Sequence, residues 1–214
     1  MTVQEVIDMA KFGELRNLRL GQSENEAIVS YLNLGIIELY KRFPLSVKEV
    51  LIELVNVTGN EYTLPNDCMW LISAYGEVPA NNTTTLTVEL SINNEDDPLS
   101  INTVGWNKIQ IPLNITGQFI SLIYAAGPSA TDKIVYDTEG LYLAQEIAIP
   151  MQLIEPLLHY VGYRAHGAMD GNIQSESNTH YMRFDASCKR AQVEGMLTND
   201  NVNMTFRVSD RGYV

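Results

Sequence analysis

Ile149-Pro150-Met151-Gln152-Leu153-Ile154-Glu155-Pro156-Leu157-Leu158-His159-Tyr160-Val161-Gly162-Tyr163-Arg164-Ala165 is where this 214-residue chain turns back from strands to helix. Ile154, Leu157, Leu158, Val161 and Ala165 recur at three- and four-residue steps, the period of one helix face. Pro156 falls in the first turn, where N–H groups have no intrahelical partner, so a helix is predicted over Pro150 to Met169. Asp170-Gly171-Asn172 reads as a turn. A second helix then runs from about Ser175 to Leu197, with Tyr181, Phe184, Cys188, Ala191 and Gly195 as its packing seam.

A matching helical pair opens the chain. Thr2-Val3-Gln4-Glu5 forms a capping box, followed by the apolar stripe Val3, Val6, Ile7 and Ala10 and a stop near Gly13. Ser23-Glu24-Asn25-Glu26 repeats the box ahead of Ile28, Leu32, Ile36, Leu39 and Phe43, and Pro44 ends that helix. Between the pairs the period changes to two. Strands are expected at Val50 to Val55, Glu61 to Leu64, Met69 to Tyr75, Leu86 to Ile92, Ile109 to Leu113, Phe119 to Tyr124 and Lys133 to Tyr136. Thr58-Gly59-Asn60 reads as the turn joining the first two. Asn93-Asn94-Glu95-Asp96-Asp97-Pro98 is a polar break farther on.

Neither helical pair can bury its apolar stripe alone, so the economical solution packs them together. The expected fold is α+β: a four-helix bundle (1–46 and 150–199) carrying an inserted β-sandwich or barrel-like domain (47–149). An extended arm (200–214) completes it. In that arm Val202, Met204, Phe206 and Val208 alternate with Asn203, Thr205, Arg207 and Ser209, the period of a half-buried strand. A strand with no hairpin partner needs a sheet edge, its own or a neighbour's.

Fourteen basic against 26 acidic residues give a net charge of -12. That opposes tight nucleic-acid binding, which uses Lys and Arg to displace phosphate counterions. It leaves room for DNA passing nearby without specific contacts. No apolar run reaches the roughly 18–20 residues of a membrane span, and Met1-Thr2-Val3-Gln4-Glu5 lacks the pattern of a signal peptide, so a cytoplasmic origin is expected.

Enzyme signatures are scarce: no GxSxG, HExxH, Walker A or GxGxxG occurs. His159 and His166 share a helix face two turns apart, too far to bind one metal directly without a third ligand between them. They read as interface or partly exposed side chains. Cys68 and Cys188, with no CxxC spacing, read as buried thiols. Asn94-Glu95-Asp96-Asp97 lacks the spaced ligands and glycine of a calcium loop and reads as an exposed hairpin turn, while Asp132, Asp137 and Glu139 bracket a strand and read as solvated, a second calcium-like cluster being the other reading. No catalytic residue, metal or cofactor is expected.

Leu157-Leu158-His159-Tyr160-Val161-Gly162-Tyr163-Arg164-Ala165 resembles the LxxYxxYRA helix of tailed-phage head-to-tail adaptor proteins. The resemblance extends to Ile149-Pro150, to Tyr124-Ala125-Ala126-Gly127-Pro128, and to Ile28-Val29-Ser30-Tyr31-Leu32-Asn33 leading to Arg42-Phe43-Pro44. It also takes in Gly59-Asn60-Glu61-Tyr62-Thr63-Leu64-Pro65, and so runs in order from about Val3 to Leu197. It implies a structural virion protein at the head–tail junction, assembled in the host cytoplasm. Such proteins form a homo-oligomeric ring, typically twelve-fold, below the portal protein. They extend the DNA channel and carry the tail tube, nozzle or tail-fibre proteins, with no membrane partner. The resemblance further implies that the arm crosses to a neighbour or the portal, where Val202, Met204, Phe206 and Val208 would fill pockets and Arg207, Arg211 and Tyr213 give orientation; folding back onto the chain's own β-block is the other reading. The rival reading is a carbohydrate-binding, adhesin-like β-sandwich that stacks sugars on Trp70 or Trp106; it leaves the helical halves unexplained.

Overall fold

The computed structural model describes residues 1–18, 24–54, 60–81, 84–112, 115, 119–168 and 174–194. It is an α+β fold that divides into two units. A helical unit takes Met1–Pro44 and the described part of Pro128–Val214, and a β-unit takes Leu45–Gly127. Residues 128–149, expected with the β-block, therefore group with the helices.

In the helical unit, α1 spans Val3–Phe12 and α2 spans Asn25–Arg42. The Thr2–Glu5 capping box forms in both directions: the Glu5 N–H donates to Thr2 Oγ1 at 3.3 Å, and the Thr2 N–H donates to Glu5 Oε2 at 2.8 Å. The whole stripe Val3, Val6, Ile7 and Ala10 is buried. Glu24 is the N-cap of α2 and makes no side-chain cap bond, and Ser23 lies outside the described residues. Ile28, Leu32, Ile36, Leu39 and Phe43 are all buried. Phe43, before Pro44, has φ -131° and ψ 138°, the extended conformation that a following proline imposes.

After a short 3-10 turn at Met151–Leu153, α3 spans Ile154–Ala168, with Pro156 in its first turn. α4 spans Gln174–Val193. Along the predicted α4 seam Phe184, Cys188 and Ala191 are buried, whereas Tyr181 is 43% exposed; Gly195 lies outside the described residues. α3 packs against α1, α2 and α4. Gly35 of α2 permits the closest approach, because a Cβ there would stand 2.5 Å from Leu157 Cδ1 and 3.1 Å from Tyr160 Cδ1.

The expected strand at Lys133 to Tyr136 is absent. Ile134 is instead buried, and the Asn33 amide on α2 clasps its backbone. Asn33 Nδ2 donates to Ile134 O at 2.8 Å, and Ile134 N donates to Asn33 Oδ1 at 2.9 Å. A side-chain amide thus satisfies the two groups that a neighbouring strand would otherwise pair.

The β-unit contains two antiparallel sheets. β1 (Val47–Glu53), β7 (Phe119–Ala126), β3 (Cys68–Asn81) and β4 (Thr84–Leu90) lie side by side in that order. β2 (Glu61–Thr63), β6 (Lys108–Gln110) and β5 (Asn102–Gly105) make the second sheet. The hairpin expected between the first two strands does not form: β1 pairs with β7, and β2 pairs with β6 in the other sheet. Ile52, Ala74, Leu90, Ile120 and Leu122 from the larger sheet and Ile109 from the smaller enter one apolar cluster. Burying that shared cluster outweighs local pairing of strands adjacent in sequence.

Candidate functional site

The arm residues expected to dock on a partner, Val202, Met204, Phe206, Arg207, Val208, Arg211 and Tyr213, lie outside the described residues. The most concentrated polar chemistry among the described residues sits in the helical unit instead, where the turn after α1 meets α3 and α4. Glu14 follows the Gly13 stop of α1, His159 and His166 lie on α3, and His180 lies on α4.

Glu14 is the hub of this cluster. Its Oε2 is 2.8 Å from His180 Nδ1, and its Oε1 is 3.3 Å from His159 Nδ1. Both nitrogens are buried, and neither makes a hydrogen bond of acceptable geometry. The carboxylate is therefore close to both rings but off their N–H directions, so these contacts are electrostatic. His166 anchors the same residue from below: its Nε2 lies 3.0 Å from Glu14 O. Since a carbonyl only accepts, Nε2 carries the proton. The His166 ring stacks on His180 with centroids 4.8 Å apart and planes 19° apart.

Burial holds the His180 pKa below the ordinary imidazole value; Glu14 opposes this, while His166, Arg183 and His159 add to it. Gly162 makes the arrangement possible, because a Cβ there would stand 2.9 Å from His180 Nδ1. A polar cavity of about 350 Å³, lined by Gly13, Glu14, Asn17, His166, His180 and Arg183, opens onto the cluster. Sequence spacing directs attention to the pair His159 and His166. The fold instead brings His159 to Glu14 and His180, residues far apart in the chain.

Of the acidic residues weighed as calcium ligands, Asp97, Asp132 and Asp137 are occupied by their own turns. Asp97 accepts from Ser91 Oγ and the Leu99 N–H. Asp137 accepts the Leu141 and Tyr142 N–H groups, and Asp132 accepts from Ser129 N and Oγ. Cys68 and Cys188 are free thiols, each pushed up to about 11 mainly by burial.

The model of the SU10 adaptor protein family matches residues 1–207. The chain belongs to this family of phage head–tail adaptors. No curated protein matches it. The family match spans both units and enters the arm, taking in Val202, Met204, Phe206 and Arg207 and ending before Val208, Arg211 and Tyr213. Membership makes the chain a structural adaptor of the virion that associates with other phage head and tail proteins. Among the described residues no helix is long and apolar enough to cross a membrane.

An adaptor works through its surfaces, and this one presents large apolar side chains to solvent. Phe12, Leu141, Met151 and Met182 of the helical unit are each more than 70% exposed, as is Trp106 in the turn between β5 and β6. Apolar area of this kind is removed from water when a partner covers it.

Proposed function

We propose that copies of this chain close into a homo-oligomeric ring, twelve-fold, beneath the portal protein. There the ring extends the DNA channel and forms the platform on which tail tube, nozzle or tail-fibre proteins assemble. The observation that carries this reading is the adaptor-family match over residues 1–207. The function is assembly, and no bond-making step belongs to it.

The charge favours the same role. A net charge of -12 repels the phosphate backbone, so DNA moves past the protein without being held. In this reading the helices form a bundle whose exposed apolar side chains meet neighbouring copies. The β-unit is a sandwich-like insertion that leaves the bundle continuous. The arm crosses to a neighbour or to the portal: Val202, Met204, Phe206 and Val208 enter its pockets, while Arg207, Arg211 and Tyr213 set the register. Symmetric closure satisfies every such contact around the ring.

Deleting residues 200–214 tests the arm. The truncated chain should keep the circular dichroism spectrum and thermal midpoint of the full chain but lose ring formation and portal binding by mass photometry. Unchanged assembly by the truncated chain rules the docking role out.

A further inference from the structure

We propose that Glu14, His159 and His180 bind one divalent transition-metal ion, with zinc the best chemical match. Two imidazole nitrogens and a carboxylate form a donor set suited to zinc. All three candidate ligand atoms lie within 4.8 Å of one another. Zinc bonds of about 2.0–2.1 Å at tetrahedral angles place ligand atoms about 3.3 Å apart. The 3.3 Å between Glu14 Oε1 and His159 Nδ1 matches that edge; the 2.8 Å contact of His180 Nδ1 is to the other oxygen, Oε2, so closure on one ligating oxygen needs the carboxylate to rotate.

The hydrogen-bond geometry points the same way. Both Nδ1 atoms are buried without an acceptable hydrogen bond although carboxylate oxygens stand beside them. Buried polar atoms in native proteins nearly always have a partner. If both rings present lone pairs there, those lone pairs repel the carboxylate. A cation among them removes the repulsion and satisfies all three groups.

The surroundings have the features of a supported site. His159 Nε2 lies 3.7 Å from Glu155 Oε1, beyond hydrogen-bond distance, so that carboxylate acts on the ring through its charge. His166 fixes the backbone of Glu14 and the plane of the His180 ring. The polar cavity of about 350 Å³ supplies a route for the ion and room for water to complete the coordination. Arg183 lines that cavity and opposes a cation, and Glu155 is already shared with Arg190 at 3.8 Å, so the site must draw on the charge of Glu14. A bound ion would tie the turn after α1 to α3 and α4 within the helical unit.

The test uses the full chain without a histidine tag, stripped with EDTA and titrated with zinc by calorimetry and with cobalt by visible absorption. One ion per chain, a cobalt spectrum of tetrahedral intensity and a rise in thermal midpoint with zinc are expected. E14Q keeps the side-chain volume nearly unchanged, H159N replaces the ring with a smaller amide, and each should weaken binding by about tenfold or more. H180N should do the same, with circular dichroism of the metal-free variant reporting whether it folds. No saturable binding by the wild-type chain overturns the proposal, and so does binding that E14Q and H159N leave intact. Neither result bears on ring formation.

Discussion

Gly162 of α3 faces the ring of His180 so closely that a Cβ on the glycine would stand 2.9 Å from Nδ1 and 3.1 Å from Cγ. Alanine is the better helix former by about 1 kcal/mol. Here that gain is outweighed, because the ring that must yield is buried and stacked on His166. Overpacking of this kind costs about 1–3 kcal/mol. G162A should therefore be destabilised by urea denaturation, by roughly 1 kcal/mol net. A more stable G162A would show that the ring moves aside freely.

Phe184 and Tyr181 sit three residues apart on α4 with opposite fates. Phe184 is fully buried, edge-on to Tyr160 at 5.2 Å and beneath the Arg42 guanidinium at 4.5 Å. Tyr181 is 43% exposed. F184A should cost about 3–5 kcal/mol, enough to threaten folding, as measured by thermal or urea melts. Y181A should cost under about 1 kcal/mol, mainly its tilted ring contact with Tyr163.

Asp185 binds Lys189 and Arg42, each at 2.7 Å, and these two cations hold its carboxyl below the usual range, Lys189 first. Asp67 is held low by Lys48 and, more weakly, by Tyr124. A carboxyl whose pKa is lower folded than unfolded stabilises the fold above its unfolded value, about 3.9, and loses that contribution as pH falls through the folded value. D185N and D67N should thus be less stable than wild type at pH 7. The gap should narrow as pH drops below about 4, as followed by urea midpoints across the acid range. A gap that widens toward acid would contradict the assignment.

Asn33 replaces a strand with its side chain, bonding both backbone groups of buried Ile134. N33A leaves those groups without these partners and should cost about 2–3 kcal/mol, with hydrogen exchange rising at Ile134 before the rest of the helical unit.

That contact also shows where sequence patterns stop. Val3, Val6, Ile7 and Ala10 reveal their helix because burial of one face is a local, periodic requirement, and all four are buried. Lys133 to Tyr136 has the composition of a strand, yet its partner is an amide a hundred residues earlier, which no local pattern encodes. β5 escapes notice for a related reason: Asn102-Thr103-Val104-Gly105 is short and mostly exposed, and its place is set by pairing with β6. The Glu14, His159 and His180 cluster was equally hidden. Helical spacing shows which histidines share a face, but only packing of the turn after α1 against α3 and α4 brings in Glu14. The family resemblance in the α3 helix was legible because it rests on a contiguous run of residues, and the match over residues 1–207 bears it out.

The most direct test of the adaptor account is electron microscopy of the purified chain mixed with its portal protein. The account predicts a closed ring of twelve copies stacked coaxially on the portal, with an open central channel. A chain that stays monomeric and unattached beside intact portals would contradict it.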